Sequence, residues 1–485
     1  MIPAADPPVI VVGGGVAGPA TALALARRGV RVRLLERSGP PPDGPAAKAA
    51  QLWERPAMPQ RGHSHVLNSL GVRVLRQEAP DLLASALEEG ARLLDLTEAA
   101  PGAAAGGGAA DPELVTLAVR RSLLDLLLHR ALAAQPGVVV EYGTTVRGLW
   151  LDPSGSRVRG VWTGRGERMA ARSVVDATGR GAASRAWLSA AGAPPAADLS
   201  DPVRLRCFTR FYRLTDPDGP LPGPLNRGNA AGAVWDHYAA VAHPADNGVF
   251  ALSLGTLTGD TATRALSAPA AFTAAARLTP HLSAWTRPGV ATPLTDVRVI
   301  AAPANTLRGT VRPGAPQVAG VFPVGDAACV TDPLYGRGLS LALQHAFRLA
   351  DLLAGHPAAD AAQAEQAAQL ADGIMRPWYE QAVYDSRART LLWQARANGT
   401  APAAPRPAAP GRPDLARIGH AAAGDATVWR GLTRVLMGLD TPAQVFDSPA
   451  FRDRVTAAGP ATAPAGRRPP TRQDLLAALT AAGEG

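Results

Sequence analysis

At 485 residues, 47% of them hydrophobic, the chain is long enough for two or three domains and ordinary enough in composition to bury a large core. Its formal charge of +9 does not mark a nucleic-acid partner: the excess comes from scattered arginines, Lys48 is the one lysine, and no basic stripe alternates with aromatics. The two cysteines, Cys207 and Cys329, lie far apart without ligand spacing, which excludes a disulfide framework and a zinc site and fits a reduced, cytoplasmic location.

Met1 to Pro8 carries no cationic leader, and no run of about 18 apolar residues follows anywhere, so no integral membrane segment is expected. Val9 to Val12 reads as a strand, Ala17 to Arg28 as a helix and Val30 to Leu35 as a second strand, together a βαβ unit. Between the first two stand Gly13, Gly15 and Gly18 at the spacing of a dinucleotide turn, with Val16 and Ala17 opening the helix. Gly13 permits the tight turn, Gly15 admits a pyrophosphate to the backbone, and Gly18 lets helix and strand pack closely. Free N–H groups and the positive end of the helix dipole then face the phosphates. Glu36, beside Arg37 at the end of the second strand, is placed to accept hydrogen bonds from an adenosine ribose. FAD and NAD(P) both remain compatible with this unit.

Pro59 to Leu67 holds His63 and His65, whose roles range from loop capping to cofactor contact; with no third ligand evident, no metal is expected. Pro101 to Ala110, Gly399 to Pro413 and Gly459 to Thr471 are Ala-, Gly- or Pro-rich and read as loops or linkers. Ser173 to Asp176 is a buried-strand pattern ending in Asp176, Ala177 and Gly179, and Val321 to Val324 ends in Gly325 and Asp326. Such an Asp is by itself most often a helix cap. Arg204 to Leu214 and Val249 to Leu257 read as strands of an antiparallel sheet, with Cys207, Thr209 and Phe211 on one face. Leu341 to Leu353 and Ala359 to Trp378 read as helices.

Taken in order, these motifs resemble the FAD-dependent monooxygenases related to p-hydroxybenzoate hydroxylase, over most of the chain. The resemblance implies an α/β fold: a glutathione-reductase-type FAD-binding Rossmann domain with an inserted antiparallel β-sheet substrate domain and a helical C-terminal region. The expected divisions are 1–200 (with a loop segment, 45–110, near flavin and substrate), 201–300 for the inserted sheet, 301–357 for the returning FAD domain, and 358–485 for the helices. Asp176, Ala177 and Gly179 would lie behind the cofactor, and Gly325 and Asp326 at its ribityl chain. Pro333, Gly336, Arg337, Gly338 and Leu339 resemble the loop that wraps the flavin pyrimidine. There, N–H groups at a helix start stabilise charge on the reduced ring, and Ser340 replaces a frequent Asn. Arg121 resembles the family's arginine at a helix start, with Arg120 as the neighbouring register, and Val146 its backbone partner of adenine.

The segment from Gln60 to His65 resembles an actinobacterial branch that includes polyether flavin epoxidases. That likeness implies oxygen transfer from O2 through a flavin C4a-hydroperoxide, by epoxidation or hydroxylation of a lipophilic small molecule in natural-product biosynthesis. Cys207, Thr209, Phe211, Trp235 and Tyr238 are the expected pocket residues. Electrons would come from NAD(P)H or from a separate flavin reductase, because no second glycine-rich turn is present. A reductase of the geranylgeranyl-reductase type is the main alternative; a halogenase is disfavoured by the missing Trp-x-Trp-x-x-Ile signature.

Overall fold

A computed structural model describes residues 7–102, 111–315, 317–403, 409–459 and 470–483. The linker expectations at Pro101 to Ala110 and Gly459 to Thr471 fall almost wholly outside the described residues, and that at Gly399 to Pro413 does so in part. β1 (Val9–Val12) is apolar and buried at every position, as a strand covered on both faces must be. It runs through the glycine turn into α1 (Ala17–Arg27) and back to β2 (Val32–Glu36), parallel to β1 with Val9 opposite Val32. α2 (Arg121–Ala133) leads to β3 (Val138–Tyr142), which extends the sheet beyond β2. An antiparallel meander follows, β4 (Val146–Leu151), β5 (Val158–Thr163) and β6 (Arg168–Ala170), and its Leu149 and Val161 pack on Ile10 and Leu35. β7 (Ser173–Asp176) then pairs with the other side of β1.

The segment 45–110 is not a loop where it is described. Helices Ala46–Leu52, Ser69–Glu78 and Pro80–Glu88 occupy much of it, because Val72, Leu75, Leu82 and Ala86 recur at helical spacing and are buried. The Asn68 side chain caps the second of these by accepting from Gly71 N–H.

The inserted sheet contains β8 (Leu205–Leu214), β9 (Ala231–Val234), β10 (Ala239–Pro244), β11 (Val249–Leu257), β12 (Ala291–Pro293) and β13 (Arg298–Ala301). Its order is β9-β10-β11-β8-β12, with β13 also paired to β8. One face buries Phe208, Tyr212 and Phe250 against Phe272 and Trp285, and Leu475 and Leu479 of the terminal helix join that core. The opposite face turns Cys207 and Thr209 toward the nucleotide half.

β14 (Val321–Pro323) completes the parallel sheet, in the order β14-β7-β1-β2-β3. α3 (Gly338–Gly355) packs beside α1, and α4 (Ala361–Asn398) continues well past Trp378 with Pro377 inside it. The mixed α/β architecture expected from the sequence is therefore present: a parallel sheet, an antiparallel sheet and C-terminal helices. No described helix is long and apolar enough to cross a membrane. The chain enters and leaves β1 at the centre of the sheet, so the carboxyl ends of β1, β7 and β14 open on one crevice, where ligands of such sheets bind.

Candidate cofactor and substrate site

The glycine turn is shaped by contacts that leave no alternative residue at two positions. Gly13 has φ +109°, and a Cβ there would lie 2.5 Å from the Ala177 carbonyl oxygen. At Gly18 a Cβ would lie 1.8 Å from the Gly13 carbonyl oxygen. Gly15 differs: its Cβ position meets only Met58 Cε, at 3.9 Å, and faces open space. That space is a cavity of about 340 Å³, lined by Gly13 to Ala17, Glu36, Arg37, Arg121, Val146, Gly179, Asp326 and the start of α3. It has the form a dinucleotide needs: backbone N–H groups at one helix start, a carboxylate at one end and a second helix start at the other.

Spacing did not reveal the groups that hold this turn. Glu36 is buried, and its carboxylate accepts from Gly14 N–H at 2.5 Å and Ser38 N–H at 2.7 Å while pairing with Arg55 at 3.1 Å. Burial works to raise its pKa, but Arg55 and these N–H donors outweigh it and hold the carboxyl below its ordinary value. Arg55 also donates to the Gly14 carbonyl at 2.7 Å and lies over Trp53. From α2, His129 Nε2 reaches the same carbonyl at 2.8 Å, and its Nδ1 meets Tyr142 at 2.8 Å. Burial depresses the pKa of His129, so it is neutral at pH 7 and donates from Nε2 while accepting from the tyrosine hydroxyl. Gly14 is thus clamped from both sides, and Glu36 keeps lone pairs for a ligand.

Other expected site residues divide by where their side chains go. Asp176 does not reach the cavity: it is fully buried, and its oxygens accept from Thr178 N–H, Thr178 Oγ1 and Ser184 N–H at 2.9, 2.6 and 2.8 Å. A carboxylate just past a strand end is captured by the next turn, so Asp176 shapes the wall that Ala177 and Gly179 present. Gly18 and Gly325 are packing positions; a Cβ on Gly325 would meet Ala17 and Ala342 at 3.0 and 3.1 Å. Arg337 also points away, buried over Tyr335 and Trp378 at 4.9 and 5.3 Å. Of this loop, Gly338 and Leu339 border the cofactor cavity, while Pro333 and Gly336 border a second one.

Arg121 and Arg120 separate cleanly. Arg120 binds Asp246 at 2.5 Å and ties α2 to the inserted sheet, while Arg121 borders both cavities, its Nε 3.7 Å from the Asp125 carboxylate and without a hydrogen bond. Asp326 also borders both, and no described protein group hydrogen-bonds its carboxylate; burial raises its pKa. Both are groups a polar ligand would satisfy.

The second cavity, about 250 Å³, opens off the first along Gln60, Arg121, Arg180, Asp326, Gly338 and Leu339. Its walls include Val234, Val241, Ile300, Leu334 and Met437. Cys207 and Thr209 line it as expected; Phe211, Trp235 and Tyr238 do not. Strand alternation assigns a face but not a depth: Phe211 lies beyond the cavity, and Trp235 stacks on Tyr238, whose hydroxyl meets Thr279 in the outer core. Burial pushes the Cys207 thiol up to about 12, so it is not a nucleophile.

His63 and His65 both line this cavity. His63 Nδ1 meets Thr209 Oγ1 at 3.0 Å, Thr209 meets Ser253 at 2.8 Å, and Ser64 meets His243 at 2.8 Å. Burial pushes His63 down to about 4, and His65 and His243 to about 3. All three are neutral at pH 7 and too weakly basic to act as a tuned general base. Among the described residues no His, Cys, Asp and Glu group could hold a metal ion.

These shifts carry a pH prediction. A histidine whose folded pKa lies below the ordinary 6.5 contributes stability that is complete above 6.5 and is lost as pH falls through it. His63, His65, His243 and His345, the last also pushed to about 4, should together destabilise the fold on acidification, by about 1 kcal/mol each near pH 5.5. Asp385, raised to about 6 by burial, opposes them weakly, because its contribution falls as pH rises toward 6. A drop in Tm between about pH 7 and pH 5, flattened in His345→Leu, is the expected result; a flat profile would contradict it.

Residues 8–96 match the family model described as DAO, FAD dependent oxidoreductase. A kynurenine 3-monooxygenase from Salinispora arenicola (strain CNS-205) is 28% identical over 375 residues, covering 72% of this chain and 73% of that protein. Among solved structures, pqsL, a probable FAD-dependent monooxygenase from Pseudomonas aeruginosa, is similar with a TM-score of 0.57 at 18% identity, over 81% of this chain and 98% of that one. The Diels-Alderase PyrE3 of pyrroindomycin biosynthesis is similar with a TM-score of 0.57 at 18% identity, over 90% of this chain and 81% of that one. The chain is therefore similar over residues 8–96 to FAD-dependent oxidoreductases, and it shares its fold with pqsL and PyrE3.

Proposed function

We propose that this chain is an FAD-dependent monooxygenase that inserts one oxygen atom from O2 into a lipophilic organic substrate, by epoxidation or hydroxylation, in natural-product biosynthesis. The observation that carries this reading is the apolar-walled second cavity opening onto the cofactor cavity at Asp326, Gly338 and Leu339. In this reading Gly13, Gly15, Val16 and Ala17 hold the pyrophosphate, Glu36 and Arg37 the ribose, Val146 the adenine, and Arg121 and Asp326 the middle of the cofactor. Bound FAD supplies the electrons and the ring chemistry that activates O2. The N–H groups of Gly338 and Leu339, at the α3 start, stabilise negative charge at the ring.

In the same reading Val241, Ile300 and Leu334 form the apolar wall that keeps water from the reacting centre. No cavity histidine is poised to take a proton near neutrality, which favours an alkene or another substrate needing no strong base. The electron donor is NAD(P)H or a separate flavin reductase, and the location is cytoplasmic.

The test is rapid mixing of the anaerobically reduced holoenzyme with O2. A transient absorbing to the blue of oxidised flavin, and one labelled oxygen in a product formed under isotopically labelled O2, are expected. Direct reoxidation to hydrogen peroxide with products free of label would end the monooxygenase reading and favour a dehydrogenase or reductase.

A further inference from the structure

The turn between β8 and β9 holds an arginine that neither the fold nor the cofactor cavity uses. The turn is firmly built: Arg227 N–H donates to the Ala230 carbonyl at 3.0 Å and Gly228 N–H to the Leu225 carbonyl at 2.8 Å. The Asn226 side chain accepts from Gly232 N–H at 2.7 Å and donates to its carbonyl at 3.1 Å. Gly228, with φ +75°, approaches Leu96 so closely that a Cβ would lie 2.4 Å from the Leu96 Cα. This bracing places Arg227 in the wall of the second cavity.

Among the described residues, no carboxylate and no hydrogen-bond acceptor meets the Arg227 guanidinium. The titratable groups around it are Tyr335 and His243, neither carrying negative charge at pH 7. Burial lowers the pKa of Arg227, but a guanidinium remains protonated in any protein. Asp326 is the one acidic residue lining this cavity, and it borders the cofactor cavity too. Arg121 and Arg180 also border both cavities, whereas Arg227 borders the second alone. A half-buried guanidinium without a counter-charge is poised to bind an acceptor, so its place in a braced turn facing a cavity points to an anion delivered by the ligand.

We propose that Arg227 is the anion subsite of the second cavity, binding the carboxylate of an organic acid whose apolar body lies along Val234, Val241, Ile300 and Leu334. The planar guanidinium donates two parallel hydrogen bonds to such a group, and the adjoining Ser64 and His243 add polar contacts at the same wall. The inference rests on reading this cavity as the substrate cavity, and it narrows a lipophilic substrate to an amphipathic acid.

The test uses the oxidised, FAD-loaded full chain, in which no turnover occurs. Isothermal titration with naphthoate and decanoate, each against its primary amide, is expected to show the acids binding about 10 to 100-fold more tightly. Arg227→Met should abolish the preference, and Arg227→Lys should keep part of it. The ligand-free Tm of Arg227→Met should equal or exceed that of the parent, because an unpaired charge has been removed. Equal binding of acid and amide by the parent, or an undiminished preference in Arg227→Met, would overturn the proposal. So would a loss of fold in Arg227→Met, which would assign the guanidinium to structure. An intact acid preference in a protein that transfers no labelled oxygen would remove the monooxygenase reading and leave the subsite standing.

Discussion

Alanine at position 18 is expected to yield a protein that folds poorly and purifies without FAD. The added Cβ would sit 1.8 Å from the Gly13 carbonyl oxygen, 3.0 Å from its carbonyl carbon and 3.3 Å from Ala177 Cβ. Gly13 cannot yield, because its own φ of +109° and its contact with Ala177 hold the turn between neighbouring strands. α1 would have to slide off β1, at a cost of about 1–3 kcal/mol or more, and its N–H groups would leave the positions that meet the pyrophosphate.

The companion variant is Gly15→Ala, whose Cβ meets nothing nearer than Met58 Cε at 3.9 Å. It should keep the ligand-free Tm and lose FAD, with Kd raised about 100-fold, since the methyl group enters the space the phosphates would fill. The FAD-to-protein ratio after gel filtration and the Tm of both variants are the measurements. Full retention of FAD by Gly15→Ala would remove the pyrophosphate from this turn.

The other large effect is expected at the contact between α4 and the loop before α3. Arg389 and Asp332 pair at 2.5 Å with side chains 5% and 0% exposed, and Arg389 also donates to the Val203 carbonyl at 3.1 Å. Asp332 in turn accepts from Leu334 N–H at 3.0 Å, and its own N–H donates to Asn305 at 2.6 Å. Asn305 is anchored on Ser386 of α4 at 2.9 Å. Arg389→Met should destabilise the protein by about 3–5 kcal/mol, because it strands a buried carboxylate. Adding Asp332→Asn should recover much of that loss by removing the second charge. Denaturant titration of the parent, the single variants and the double variant decides it. A double variant no better than Arg389→Met alone would show that charge is not what the pair contributes.

Much of this architecture follows from local pattern. Val249 to Leu257 is a strand with the bounds its composition suggests, and Ala17 to Arg28 is a helix to within one residue. The α4 helix is the clear underestimate. Ala359 to Trp378 read as one helix of that region, and the helix runs on to Asn398 with Pro377 inside it, because a helix packed along its length tolerates the one hydrogen bond a proline removes. Of the residues expected in the pocket, Cys207 and Thr209 line the second cavity, whereas Phe211, Trp235 and Tyr238 lie outside it. Alternation along a strand reports which face a residue takes, not whether cavity or core lies above it.

By itself, the sequence determined the βαβ unit with its glycine turn and the carboxylate at Glu36, because these depend on residues within about 30 positions of one another. Only the tertiary structure decided which charged groups act at a distance. Arg55 and His129 converge on Gly14 from separate segments, Asp176 and Arg337 are drawn into buried local contacts, and Arg227 is left facing a cavity. The physical reason is that a side chain's partner is set by three-dimensional approach. Spacing reports periodicity, whereas burial and charge balance exist only once distant segments meet.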